Sequence, residues 1–391
     1  MTQRRPGHIR QRGKNSFELK FDFGIDPVTG KRITKYKSVK GGIRDAQKEL
    51  NRILNEIEDG AYVAPTKETL ADAANHWIKN VAPVKAGQRT LERYQIIIEN
   101  NLIPPLGNIQ LTGLQAAQIE SLYTDLRTSG RQDGGGGLSE QSIIHIHRTL
   151  SQIITWAIKK KKIKHNPLDA VDNKPKKPKT KIQILEDDEL GALLNYLNGK
   201  ALYLPTLLAA STGMRRGEVL GLRWTDIDFE RGRLQVAQTV DQTKKYGIRF
   251  KPPKTEAGQR QIIMSAVLLD ELRRHKREQA EQRLALGLGK DENDLVVPTF
   301  DGKVRSPTSF TKEFRRAAHA AGTPHATFHG LRHTHISTLV REGIPITTIS
   351  KRAGHENPAI TLSIYSHVMV GMDEKAAVKV DEIMNKILGA G

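Results

Sequence analysis

Phe17, Leu19, Phe21 and Phe23 alternate with Glu18, Lys20 and Asp22, the period of a strand with one buried face. A turn over 26–30 (Asp-Pro-Val-Thr-Gly) leads to a return strand over 33–39 that bears Lys35 and Lys37. From about Ile43 the period becomes helical, with Ala46, Leu50, Ile53, Leu54 and Ile57 on one face. The pattern stops around 60–66, which predicts a small module of a sheet packed on one helix. Residues 67–166 then keep a helical period. Leu70, Ala73, Ala74, Trp77 and Ile78 make one stripe, Leu91, Tyr94, Ile98 and Leu102 another, and 118–126 and 142–158 supply two more. Gly134 to Gly137 interrupts them as a flexible loop or a hinge. His145 and His147 lack metal-ligand spacing and read as ordinary helix residues.

Residues 159–181 hold ten lysines, three prolines and two acids, which predicts an extended cationic linker with no core of its own. Such a segment is either a plain tether or one that lies along a phosphate backbone, and the two are compatible. Beyond Leu185 a larger domain begins, with acids at 186–189 opening a helix as its dipole prefers. The pairs Leu234 and Val236, Ile248 and Phe250, and Ile262 and Met264 predict three short strands in sequence. The last helix, about 373–388, places Ala377, Val380, Met384 and Ile387 at helical spacing, suited equally to its own core or to a neighbouring subunit.

The charge changes the picture. The chain has 391 residues, too many for one ordinary core, and 62 Lys and Arg against 43 Asp and Glu, a net charge of +19. That excess points to a polyanionic partner, nucleic acid or an anionic membrane face. No run approaches the roughly 18 apolar residues of a spanning helix. The basic, polar start, with no apolar stretch behind it, predicts no export signal. Within 1–48 there are 13 Lys and Arg against 4 acids, a density that favours DNA contact over a merely solvated face. With no cysteine, disulfides, thiolate zinc sites and Cys nucleophiles are excluded.

Four pieces of the last domain bear candidate chemistry. In Thr-Gly-Met-Arg215-Arg-Gly-Glu218, Gly213 suits a helix C-cap and the next helix starts near Arg216. Arg215 therefore sits at a tight junction, with Glu218 in reach for a charge-assisted hydrogen bond. Lys254 falls in the turn Pro-Pro-Lys254-Thr-Glu-Ala-Gly between two expected strands, with Lys251 nearby as a competitor. His329 and Arg332 share a helical face in Phe-His329-Gly-Leu-Arg332-His-Thr-His. Together with His333 and His335 these histidines also suit a metal, but no cysteine or carboxylate completes a ligand set. Gly354 closes one helix before His355, Asn357 and Pro358 open the next, and Tyr365 lies beside its apolar stripe. Each alone has an ordinary structural reading: a surface arginine, a solvated lysine, a packed tyrosine. Two arginines, a lysine, two histidines and a tyrosine, with no acid cluster for magnesium, together describe metal-free attack on a phosphodiester.

In that order the motifs resemble the tyrosine recombinases over about 185–391. The resemblance implies Arg215, Lys254, His329, Arg332, His355 and Tyr365 as catalytic residues, with Glu218 in support and no cofactor or metal. Ala353 departs from the leucine the family commonly places before Gly-His. More loosely, 66–166 resembles the family's helical core-binding domain. Residues 1–62 resemble the arm-binding domain of phage and conjugative-element integrases, a three-stranded sheet with a helix. The expected architecture is therefore α+β and multidomain: a small N-terminal sheet plus helix, an all-helical domain, a basic linker over 167–183, and a mainly helical catalytic domain over 184–391 with a small antiparallel sheet. The candidate DNA-contacting residues are Arg10, Arg12, Lys14, Lys35, Lys37, Lys159, Lys160, Lys174, Lys176 and Lys177. The implied partners are core and arm attachment sites on double-stranded DNA, three further copies of the chain, a host DNA-bending protein and an excisionase. No membrane partner is expected, and the implied location is the bacterial cytoplasm.

Overall fold

The alternating run does form a strand, the centre of an antiparallel sheet ordered β1 (Gly7–Gly13), β2 (Ser16–Ile25), β3 (Arg32–Lys40). The computed structural model describes residues 7–25, 29–59, 62, 66–178, 183–253, 255–289, 293–365 and 372–389. The turn at 26–28 and the Phe23 side chain lie outside them. Contacts divide the chain into two units, Met1–Lys179 and Thr180–Gly391.

In the first unit Phe17, Leu19 and Phe21 pack on Ala46, Leu50 and Ile53 of α1 (Ile43–Glu58), with Tyr62 edge-on to Phe21. The strand β1 has no apolar alternation of its own; pairing with β2 through backbone groups recruits it. The helical part contains α2 (Leu70–Asn80), α3 (Gln88–Ile97), the short α4 (Ile103–Leu106), α5 (Ala116–Ser129) and α6 (Glu140–Lys159). Thr69 and Asp72 cap α2 reciprocally. Between α3 and α4 the chain widens into a π turn, Ile98–Leu102, and the Ile103 N–H reaches back five residues to the Ile98 carbonyl. The cause is local: Pro104 and Pro105 follow and bring no N–H groups to a regular helix.

One expectation is refined and one corrected here. The glycine run is a loop between α5 and α6, as expected, and it is tethered: Arg131 N–H bonds the Gly136 carbonyl at 2.9 Å and Leu138 N–H bonds the Leu126 carbonyl at 2.7 Å. Gly137 passes so near α5 that a Cβ there would stand 1.7 Å from the Arg127 carbonyl oxygen. The lysine-rich segment does make core: Ile163, Leu168 and Val171 are buried in the helical cluster. Asn173 is tied at both ends, its Nδ2 donating to the Glu120 carbonyl and its own carbonyl accepting from Arg127. Three apolar residues spaced along the cationic segment, with these hydrogen bonds, seat it on the helices.

The second unit opens with α7 (Asp187–Leu197), α8 (Tyr203–Thr212) and α9 (Arg216–Leu220). The strands β4 (Ile227–Asp228), β5 (Arg233–Val236), β6 (Thr239–Thr243), β7 (Gly247–Lys251) and β8 (Arg260–Ile263) follow. The remaining helices are α10 (Ala266–Ala285), α11 (Pro307–Ala320), α12 (Phe328–Arg341), α13 (Ile346–Ala353), α14 (Pro358–Tyr365) and α15 (Met372–Leu388). The three strands expected in sequence do not share one sheet. β8 pairs with β5 in a β4-β5-β8 sheet, while β7 pairs with β6 as a separate ribbon. The strands β7 and β8 that flank Lys254 in sequence thus belong to different sheets. Among the described side chains of α15 none is buried; Val380, Met384 and Ile387 stand open rather than in the unit's own core.

Candidate active site

Local geometry fixes Arg215 first. Gly213 ends α8 in the left-handed region (φ 67°), where a Cβ would also meet the His335 ring at 2.8 Å. Arg215 then takes the N-cap position of α9. Its N–H and one guanidinium nitrogen each donate to Glu218 at 2.9 Å, and the other terminal nitrogen donates to the Gly354 carbonyl at 3.0 Å. This last bond joins positions 139 residues apart and brings the end of α13 to the start of α9.

Glu218 is buried and serves two cations. Arg260 donates to its second oxygen at 2.9 Å, to the Arg352 carbonyl at 2.7 Å and to the Gly258 carbonyl at 3.2 Å. Burial alone would raise the Glu218 carboxyl, but the charge and hydrogen bond of Arg260, then Arg215, outweigh it and hold it below the usual value. Sequence reasoning missed Arg260. A signal existed: it shares the inward face of β8 with Ile262, and an arginine at a buried strand position requires an acid.

Arg332, on α12, is 3% exposed. One terminal nitrogen donates to the Gly213 carbonyl at 2.7 Å, and the other is buried with no hydrogen-bond partner among the described residues. Burial, then the charges of Arg215 and Arg260, press its pKa down to about 9. A guanidinium keeps its proton at any working pH, so the depression expresses itself as a demand for an anion beside it.

His355 follows Gly354, whose φ of 69° and closeness to Arg260 and the Ala257 carbonyl leave no room for a side chain. Its Nδ1 lies 2.7 Å from the Thr361 hydroxyl. Burial, then Arg332, Arg215, Arg260 and His333, lower it to about 4. His329 is exposed at the edge, yet lost hydration and then Arg332 and Arg215 lower it too. Tyr365 ends α14, 1% exposed, with its hydroxyl 2.5 Å from Nδ1 of His333. Burial raises it to about 12 although Arg332 pulls the other way.

The structure thus brings Arg215, His329, Arg332, His355 and Tyr365 into one cluster, with Glu218 beneath it. Lys254 lies outside the described residues, and Lys251 is paired with Asp241 at 2.7 Å. His335 is a structural residue: its Nδ1 donates to the Ala210 carbonyl at 2.9 Å and its Nε2 accepts from Arg352 at 3.2 Å. Among the described residues no group of His, Asp and Glu is placed to hold a metal, and no helix is long and apolar enough to cross a membrane.

The phage integrase family model matches residues 183–371, and that of the phage integrase N-terminal SAM-like domain matches 69–127. The chain carries a phage integrase family domain and a phage integrase N-terminal SAM-like domain. It is a tyrosine recombinase, an enzyme of DNA strand cleavage and rejoining. A tyrosine recombinase XerC-like protein of Caldanaerobacter subterraneus subsp. tengcongensis is 28% identical over 376 residues, covering 91% of this chain and 93% of its own. An integrase of Streptomyces ambofaciens is 29% identical over 376 residues, with 93% and 92% covered. The transposase of transposon Tn916 from Enterococcus faecalis is 23% identical over 384 residues, with 94% and 90% covered. In fold, the recombinase is similar to the Tn1549 transposon integrase in complex with transposon right end DNA: TM-score 0.64, 19% identity, 81% of this chain and 99% of that one. It is also similar to a lambda integrase dimer bound to a core site: TM-score 0.54, 21% identity, 93% and 96% covered.

The candidate DNA-contacting residues are scattered. Arg10 lies on the open face of the N-terminal sheet, Arg12 is paired with Glu18 at 2.8 Å, and Lys14 is exposed in the β1–β2 turn. Lys35 and Lys37 stand opposite Phe21 and Leu19, on the α1 side of the sheet, and Lys37 is bound to Glu49 at 2.7 Å. Lys159 and Lys160 are exposed at the end of α6, Lys174 donates to the Asp169 carbonyl at 3.2 Å, and Lys176 and Lys177 are exposed.

Proposed function

We propose that this recombinase integrates and excises a mobile element by site-specific strand exchange through a 3′-phosphotyrosine at Tyr365, without metal or ATP. The observation that supports it best is Arg332, a buried guanidinium with one nitrogen unpartnered among the described residues, set among further cations and a buried tyrosine. Such a place is costly when empty and favourable when a phosphate fills it. Arg215 and Arg332 hold the non-bridging oxygens, and Glu218 fixes Arg215. Lys254 protonates the leaving 5′ oxygen, His355 contacts the phosphate, and His329 assists proton transfer. The phosphotyrosine conserves the phosphodiester energy, so a second strand can be rejoined without ATP.

On this reading residues 1–62 bind arm sites, 66–166 bind core sites, 167–183 lead into the catalytic domain at 184–391, and four copies act together on two duplexes in the bacterial cytoplasm. A host DNA-bending protein and an excisionase complete the assembly. The open face of the N-terminal sheet, with Arg10, Lys20 and Tyr36 exposed, is its DNA-facing side, since the other face is covered by α1.

The test uses duplexes that the protein itself selects from a random library, nicked at successive positions to trap cleavage, in chelator. A covalent adduct formed by the wild type and lost in Tyr365→Phe is expected. Tight binding with no adduct in either would instead make the protein a DNA-binding regulator.

A further inference from the structure

One histidine of the cluster has no part in that scheme. His333 follows Arg332 on α12, half-buried, its ring edge-on to His329 at 4.8 Å. Its Nδ1 is the atom that meets the Tyr365 hydroxyl, at 2.5 Å. A phenol held near pKa 12 by burial is a poor nucleophile until its proton leaves, so attack needs a base in contact with it. Among the described residues His355 is engaged with Thr361, His335 with Ala210 and Arg352, and Glu218 with two arginines, while His329 packs against the His333 ring. Burial, then His329 and Arg332, lower His333 to about 4, so it stands neutral at neutral pH with a lone pair to offer.

We infer that His333 is the base of the cleavage step, its Nδ1 taking the phenolic proton as the Tyr365 oxygen attacks phosphorus. The inference rests on the reading of Tyr365 as nucleophile. The new bond is Tyr365 oxygen to phosphorus. The bond that breaks is phosphorus to the 5′ oxygen, which leaves with the electron pair and is protonated by the acid on that side. On rejoining, a 5′ hydroxyl attacks the phosphotyrosine, giving its proton back to the group that acted as acid on that side, and the departing phenolate recovers its proton from His333. An imidazolium beside Arg332, His329 and His355 is disfavoured in the empty site. The phosphate between the arginines supplies the offsetting negative charge, so the base gains strength only when DNA is seated.

The experiment measures single-turnover adduct formation on the selected nicked duplex, with either oxygen or sulfur at the bridging 5′ leaving position. A sulfur leaving group needs no protonation, so it isolates proton loss from the phenol. His333→Asn, which keeps a polar acceptor without a base, is expected to slow both substrates by about 100-fold or more. Lys254→Ala should be slow on oxygen and recover on sulfur. Adduct formation by His333→Asn within threefold of the wild type, or its recovery on sulfur, overturns the inference while Tyr365→Phe still gives no adduct. An adduct from Tyr365→Phe would instead remove the nucleophile itself. Should His333→Asn fail to melt cooperatively, the wild type decides by its solvent deuterium effect on the sulfur substrate. A normal effect shows the phenolic proton in flight, and none overturns the inference.

Discussion

The N-terminal sheet and the catalytic cluster use the same side chain in opposite ways. On the sheet, Arg12 and Arg32 reach Glu18 and Asp22 across solvent, with roughly half or more of each guanidinium open. In the cluster, Arg260 and Arg332 are nearly closed to water, and Arg215 is held at both ends. Exposed arginines form a field, and their number matters more than their aim. Buried arginines must be aimed, because each N–H left without an acceptor costs stability. At Arg332 one buried nitrogen has no acceptor among the described residues, a local cost of the kind that collects at functional sites.

Breaking the carboxylate beneath the cluster tests this contrast most severely. Glu218→Gln leaves Arg260 buried without its counter-charge, and a loss of about 3–5 kcal/mol in urea unfolding is expected. A loss no larger than that of a surface pair would mean that the cluster is not held by its acid. Next, Arg332→Gln should lower adduct formation by about 100- to 1,000-fold. Its thermal midpoint should hold or rise, since the charge removed was pressed by Arg215 and Arg260. A mutant both inactive and markedly less stable would show that Arg332 is there for packing.

The third effect is a pH dependence. His335 is buried and neutral, lowered from 6.5 to about 4 by burial and then by Arg352. Between those values the unfolded chain takes up a proton that the folded one refuses, so stability is full above about pH 6.5 and falls as pH drops towards 4. The loss by pH 4 is on the order of 3 kcal/mol. His335→Gln should remove its own share of the slope in melts across the window, with His333 and His355, also lowered to about 4, carrying the rest; an unchanged slope would assign it to those groups alone. The smallest effect belongs to the sheet. Arg12→Ala should change stability by less than about 1 kcal/mol, and if the open face meets phosphates it should lower the salt slope of DNA binding by about one.

Much of this was legible along the chain. The strand of Phe17, Leu19 and Phe21, the helix of Ala46, Leu50 and Ile53, the cap at Gly213, and the junctions at Arg215 and Gly354 all follow from local spacing. Less legible were features whose cause lies elsewhere in the chain. β1 is a strand because β2 offers it partners. β7 and β8 part company because each finds a different neighbour. Residues 163–171 look like linker until Ile163, Leu168 and Val171 meet the helices.

The sequence by itself determined the fold class, the family and the kinds of groups available, because period, capping and charge density are local properties. Only the tertiary structure decided that Arg260 completes the acid's pair, that Lys37 faces α1, and that His333, rather than His329, touches the Tyr365 hydroxyl. Those are matters of direction. A one-residue step on a helix turns a side chain by roughly 100°, and which direction is useful depends on what the rest of the chain has packed there.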